Sequence, residues 1–171
     1  MPDASLRIET ATPDRFPTVI ELARRIWPTC FAGLISAAQC EYMLGQRYRV
    51  EAMARAVAEG MTYELIHLDG AAVGYGAHGP AEEPATWKLW QVYVLPNLQG
   101  RGLGGAYIDH VVRVARATGM RTLILTVNKG NDRARAVYER RGFRVRESAR
   151  FDIGEGYVMD DFIMALPLDN G

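Results

Sequence analysis

The sequence predicts an α+β domain: a mixed, mostly antiparallel sheet of about seven strands flanked by helices. Three observations point there. Alternating segments meet at hairpin signals, the clearest being Asp69-Gly70, which suits antiparallel neighbours. Two strand-helix-strand passages follow in the second half, so part of the sheet should be parallel. The chain has 171 residues, enough to bury a sizeable core in one domain spanning 1–171.

The elements can be justified in order. Leu6 to Ala11 alternates apolar and polar residues, as a first strand would. Thr12-Pro13-Asp14 offers a helix start with Thr12 as N-cap. Phe16, Val19, Ile20, Ala23 and Ile26 or Trp27 keep helical spacing, and Pro28 is expected to stop the helix. Ser36 to Leu44 and Val50 to Ala58 are shorter helices, the second closed by Gly60. Met61 to Leu68 and Ala71 to Gly79 form the hairpin, and Thr86 to Val94 (TWKLWQVYV) has strand composition. After a glycine-rich loop, a helix should bury Gly104, Ile108, Val111, Val112 and Ala115 and expose Asp109, His110, Arg113 and Arg116, ending at Gly119. Thr122 to Val127 is a short buried strand. A last helix, capped by Asn131 or Asp132, runs through Arg141 to Gly142. Arg144 to Ile153 and Tyr157 to Leu168 are strands joined by Gly154-Glu155-Gly156.

Composition excludes several function classes. Lys plus Arg and Asp plus Glu number 20 each, so there is no basic footprint for nucleic acid. No apolar run has membrane-spanning length. The start, MPDASLRIET, lacks the features of a secretory leader, so a cytoplasmic location is expected. Cys30 and Cys40 should then be reduced thiols without an activating context. No second Cys pair or Cys/His cluster accompanies them, so no metal is expected.

The loop LPNLQGRGLGG (95–105) decides between chemistries. Gly100, Gly102 and Gly105 fit the dinucleotide pattern G-x-G-x-x-G. That pattern wants a strand running directly into the first glycine and a ribose-binding acid closing the next strand. Here Leu95 to Gln99 intervene, and Thr126-Val127-Asn128 carries no carboxylate. A Walker loop fails because no Gly-Lys-Ser/Thr follows. What remains is a purely structural glycine-rich turn or an anion cradle at a helix N-terminus, with the N–H groups of Gly100, Arg101, Gly102, Leu103, Gly104 and Gly105 turned to a phosphate. On spacing alone Gly105 counts as incidental.

A second motif follows at Asn128 to Phe143 (NKGNDRARAVYERRGF). The run Val92-Tyr93-Val94, then Gln99, Gly102 and Gly104, then Asn131, Ala134, Tyr138, Gly142 and Phe143 resembles the signature of the GCN5-related N-acetyltransferase (GNAT) family. The motif match covers about the C-terminal half, and the element order suits that fold along nearly the whole chain. The tail ARFDIGEGYVMDDFIMALPL and the segment WPTCFAGLISAAQCEYML resemble the PaiA-like spermidine/spermine acetyltransferase branch more loosely. Acids between Pro13 and Gly60 are matched by arginines, which leaves the acceptor open.

The resemblance implies acetyl transfer from acetyl-coenzyme A, as co-substrate, to a small-molecule or peptide amine. Gln99 to Gly105 would bind the pyrophosphate, and main-chain groups of Val92, Tyr93 and Val94 would pair with the pantetheine arm. A backbone N–H near Val94 would face the thioester oxygen. Asn131, Ala134 and Tyr138 share a helix face, with Tyr138 as general acid to the leaving thiolate. The glutamate that many family members carry on the motif strand is replaced by Trp90 or Gln91, so the base stays unassigned; His78, Glu64, Glu82 and Glu83 qualify by location only. A surface histidine is the default for His78. Trp27, Phe31, Tyr42, Trp87 and Trp90 are candidates for an acceptor pocket, and Arg133, Arg140 and Arg141 for the 3′-phosphate. A homodimer through the last strands is the family-level expectation. The alternative is a non-catalytic acyl-coenzyme A binding or sensing module on the same fold.

Overall fold

The computed structural model describes residues 5–169. Residues 1–4, which open the MPDASLRIET segment, and 170–171 lie outside the described residues. The order is β1 (Leu6–Thr10), a 3-10 turn (Pro13–Arg15), α1 (Phe16–Cys30), α2 (Ala37–Arg47), α3 (Val50–Ala58), β2 (Thr62–Leu68), β3 (Ala71–Pro80), β4 (Thr86–Val94), a 3-10 turn (Pro96–Leu98), α4 (Leu103–Ala117), β5 (Thr122–Asn128), α5 (Asp132–Arg140), β6 (Arg144–Gly154) and β7 (Tyr157–Pro167). The seven strands form one sheet in the order β1-β2-β3-β4-β5-β7-β6. Only β4 and β5 are parallel; the other neighbours are antiparallel. The expected α+β fold is therefore the observed one.

Local chemistry explains the element ends. Asp69 and Gly70 both take positive φ, as the two central residues of a type I′ hairpin turn must. The Ser36 hydroxyl accepts from the Gln39 N–H at 3.0 Å and caps α2. Two expectations need correction. Thr12 makes no side-chain cap; its hydroxyl donates to Asp14, and a 3-10 turn precedes α1. Pro28 does not stop α1, which continues to Cys30. A proline this close to the helix end removes one N–H, while buried Trp27 and Phe31 hold the last turn against Tyr93.

The core lies on both faces of the sheet. On one face α1 packs on β3 and β4. There the Trp27 indole N–H donates to the Tyr75 hydroxyl at 2.8 Å, and Tyr75 and Tyr48 share a hydrogen bond of 2.6 Å. On the other face α4 packs on β4 and β5 through buried Tyr107, Ile108, Val111 and Ala115.

Two irregularities in β4 make room for a site. It pairs with β5 only at Thr86–Lys88 against Thr122–Ile124; beyond that the two strands part. Its ladder with β3 also slips between Ala77 and His78, leaving Trp90 as the extra residue of a bulge. The bulge puts Lys88, Trp90, Gln91 and Tyr93 toward the α1–α2 face and Leu89 and Val92 toward the α4 face.

Candidate active site

Where β4 and β5 part, a cleft of about 720 Å³ opens between them. Its walls are Trp90 to Val94 of β4 and Leu125 to Asn128 of β5, with α4 and α5 at one end and α1 and α2 at the other. The Leu95 N–H donates to the Val73 carbonyl at 2.9 Å. By the two-residue alternation of an antiparallel ladder, the main-chain groups of Gln91 and Tyr93 face β3, and those of Val92 and Val94 face the cleft. Tyr93 thus lines the cleft with its side chain, and the Val94 carbonyl is already taken by the Gln99 amide at 3.2 Å. The Gln99 amide also reaches the Cys30 sulfur at 3.3 Å, tying the loop to α1. Burial pushes the Cys30 and Cys40 thiols up, away from the thiolate.

The glycine loop ends in the α4 N-terminus. Gly100 and Gly102 have φ near +81° and +82°, a left-handed conformation that L side chains adopt only with strain. The turn leaves the N–H groups of Leu103, Gly104 and Gly105 without intrahelical partners, because the first helical bond runs from Ala106 to Gly102. All three residues line the cleft; Arg101 is exposed and does not. A Cβ at Gly105 would meet the outer end of the Arg141 side chain, which crosses it and is held by Asp109 at 3.3 Å. Arg133, Arg140 and Arg141 all border the cleft.

On α5, Asn131 caps the helix by accepting from the Ala134 N–H at 3.2 Å. Asn131, Ala134 and Tyr138 face the cleft together. The Tyr138 ring meets Phe143 edge-on at 6.0 Å, and burial pushes its hydroxyl up to about 12. That hydroxyl makes no hydrogen bond among the described residues.

The aromatic candidates divide. Phe31 and Trp90 line the cleft, and Trp90 is 43% exposed. Trp27 is core, Tyr42 donates to the Ile153 carbonyl, and Trp87 lies on the opposite face.

The candidate bases Glu64 and His78 also lie on that opposite face, away from the cleft. His78 is not a surface residue, at 3% exposed, and His110 is not on the solvent side of α4. Glu64 accepts hydrogen bonds from the Tyr107 hydroxyl at 2.9 Å, His78 Nε2 at 2.8 Å and His110 Nε2 at 3.1 Å. Burial works to raise its carboxyl; the two imidazoles and the Tyr107 hydroxyl outweigh it, and the net shift is downward. The ligand atoms of Glu64, His78 and His110 lie within 4.8 Å of one another, as for a metal. The Trp87 indole can only donate, and it donates to His78 Nδ1 at 3.0 Å. The His78 proton therefore sits on Nε2, where a metal would have to bind, so the set fits a hydrogen-bonded buried carboxylate.

One acidic residue in the cleft escapes sequence reasoning. Asp161 of β7 lines it and is 5% exposed. The available signal was parity: Asp161 shares its side of β7 with buried Met159, a position where a core residue is expected.

Comparison with known proteins adds the following. The model of the acetyltransferase (GNAT) family matches residues 18–143. A mycothiol acetyltransferase of Beutenbergia cavernae is 40% identical over 80 residues, which is 46% of this chain and 27% of that protein. An L-2,4-diaminobutyric acid acetyltransferase of Nocardia farcinica is 33% identical over 99 residues, 54% of this chain and 51% of that one. The chain thus spans between about a quarter and a half of the length of these relatives. The crystal structure of PaiA N-acetyltransferase from Thermoplasma acidophilum in complex with coenzyme A superposes with a TM-score of 0.79 at 20% identity, covering 95% of this chain and 99% of that one. Among the described residues no helix is long and apolar enough to cross a membrane.

Proposed function

As the chain belongs to the acetyltransferase (GNAT) family, we propose that it transfers an acetyl group from acetyl-coenzyme A to a primary amine by direct attack in a ternary complex. The observation that carries this is the convergence of a parted β4–β5 edge, a helix N-terminus with free N–H groups and Tyr138 in one cleft. The free N–H groups of α4 hold the pyrophosphate, with Arg141 beside them. The Val92 edge pairs with the pantetheine arm, and the Val94 N–H receives the developing oxyanion. Asn131 steers the arm, and Ala134 leaves room for it. Tyr138 gives its proton to the departing thiolate; burial keeps it protonated through neutral pH.

The relatives act on chemically different acceptors, so the substrate has to be sought in the cleft itself. The same reading takes residues 1–171 as one domain working in the cytoplasm. A homodimer would use the edge strand β6, where Val145 and Phe151 are exposed.

The rival is an acyl-coenzyme A sensor, favoured by Trp90 and Gln91 standing where a strand glutamate would act as base. Thiol release from acetyl-coenzyme A, followed across a panel of amines, separates the two. An enzyme releases thiol only with an acceptor present. A sensor binds coenzyme A and releases none.

A further inference from the structure

Asp161 carries a buried oxygen that its own fold leaves without a hydrogen-bond partner. It sits inside the sheet, opposite Asn128 of β5 and Ala149 of β6. That oxygen is Oδ1, and no cation stands within ion-pair distance among the described residues. Its neighbour Asp160 differs, being ion-paired to Lys129 at 2.8 Å. A buried carboxylate without partners is costly, and one lining an open cleft can be relieved by a ligand that donates. Gln91, on the same cleft wall, carries a second buried acceptor, Oε1, with no partner. Two buried, unfilled acceptors on one cleft wall call for a multiply donating group, which an ammonium is.

The surroundings narrow the ligand further. Arg47, in the last turn of α2, lines the same cleft and makes no ion pair among the described residues; its guanidinium lies 5.9 Å from the Trp27 ring. Lys88 of β4 lies over the Trp90 ring at 3.7 Å, also without a carboxylate. These cations would repel a polyamine. They suit a molecule that brings its own anion.

We propose that Asp161 is the acceptor-amine site, and that the acceptor is an amine carrying a carboxylate, of the amino-acid class, whose acid group meets Arg47. This rests on the acetyl-transfer reading for its chemistry but not for its binding. The ammonium hydrogen-bonds to Asp161 Oδ1 and Gln91 Oε1. One N–H bond breaks as Asp161 takes the proton, and the freed lone pair attacks the thioester carbon. The C–S bond then breaks as the sulfur takes the Tyr138 proton. The second amine proton is returned through solvent to the Tyr138 oxygen, and Asp161 loses its proton to solvent. Burial, first, raises the Asp161 carboxyl, and Asp160 adds to this; Arg47, Lys88 and Lys129 oppose it. Turnover should therefore fall as pH drops through that raised value.

The test uses the full chain with coenzyme A bound, titrated calorimetrically with L-amino acids including diamino acids, their amides, and spermidine. Amino acids should bind, Asp161→Asn should weaken them at least tenfold, and Arg47→Ala should erase the preference for the acid over the amide. Asp161→Asn should keep its coenzyme A affinity and melt no lower than the parent, since it removes an unpartnered buried charge. In turnover the same variant should lose the acidic limb of kcat/KM. Unchanged affinity in Asp161→Asn, spermidine binding as well as the amino acids, or no amino acid binding at all would each overturn the proposal. Binding that depends on Asp161 but yields no thiol from acetyl-coenzyme A would overturn the acetyl-transfer reading and leave the amine site standing.

Discussion

Tyr138 and Glu64 show how the same physics gives opposite settings to two buried groups. Tyr138 has no partner for its hydroxyl, so burial alone acts and pushes it up to about 12. A thiol is the stronger acid, so Tyr138 donates to the leaving thiolate in concert with C–S cleavage. Tyr138→Phe should lower kcat roughly 10²-fold, with coenzyme A affinity unchanged by calorimetry. Glu64 has three donors, and its carboxyl is held below the ordinary value near 4.5. A depressed carboxylate contributes stability that is present above the unfolded value and lost as pH falls through the lower folded one. Acid melts should therefore show a steep loss below about pH 4.5 that Glu64→Gln flattens. Glu64→Ala leaves buried donors unpaired and should cost about 3 kcal/mol in denaturant melts. That Tyr138 shares a helix face with Asn131 and Ala134 was legible from their spacing, whereas the role proposed for it came only through the family resemblance. The grouping of Glu64, His78 and His110 was not legible. They come from three elements, and only the assembled sheet tells which face each one takes.

At the scale of elements, the loop and helix of residues 99–117 behave as one device. The two left-handed glycines aim the chain, the α4 N-terminus supplies free N–H groups, and Arg141 lies over Gly105. Gly102→Ala should cost about 1 kcal/mol of stability from the positive φ alone. Its coenzyme A affinity should fall further than that, because the N–H groups of the next turn would be re-aimed. Gly104 has no such constraint: a Cβ there would reach only Val92, at 4.0 Å. Gly104→Ala should leave the melting temperature nearly unchanged. Periodicity and turn residues located most elements well, since Asp69-Gly70, Gly119 and Gly142 all carry the left-handed φ their positions imply. Pro28 misled because packing of Trp27 and Phe31 outweighs one missing hydrogen bond. The Trp90 bulge carries no local signal; it is a mismatch in count between β3 and β4.

For the whole molecule, the decisive feature is that the sheet does not close between β4 and β5. β5 remains fully paired with β7, and β4 stays paired with β3 except at the Trp90 bulge, so each lip of the cleft is anchored while the edge between them stays open. No residue pattern marks that parting. It was available only through the resemblance carried by Gln99, Gly102, Gly104 and Tyr138, and the comparison with known acetyltransferases supports the same architecture. The cleft reaches from the α4–α5 end to the α1–α2 end, which lets one ligand enter from each side of the sheet. The most direct test of that account is stopped-time thiol release from acetyl-coenzyme A by the full chain, measured with and without an amino-acid acceptor. Acceptor-dependent release, sharply reduced in Tyr138→Phe while coenzyme A still binds, is the expected result. Tight coenzyme A binding with no release across the acceptor panel would contradict it.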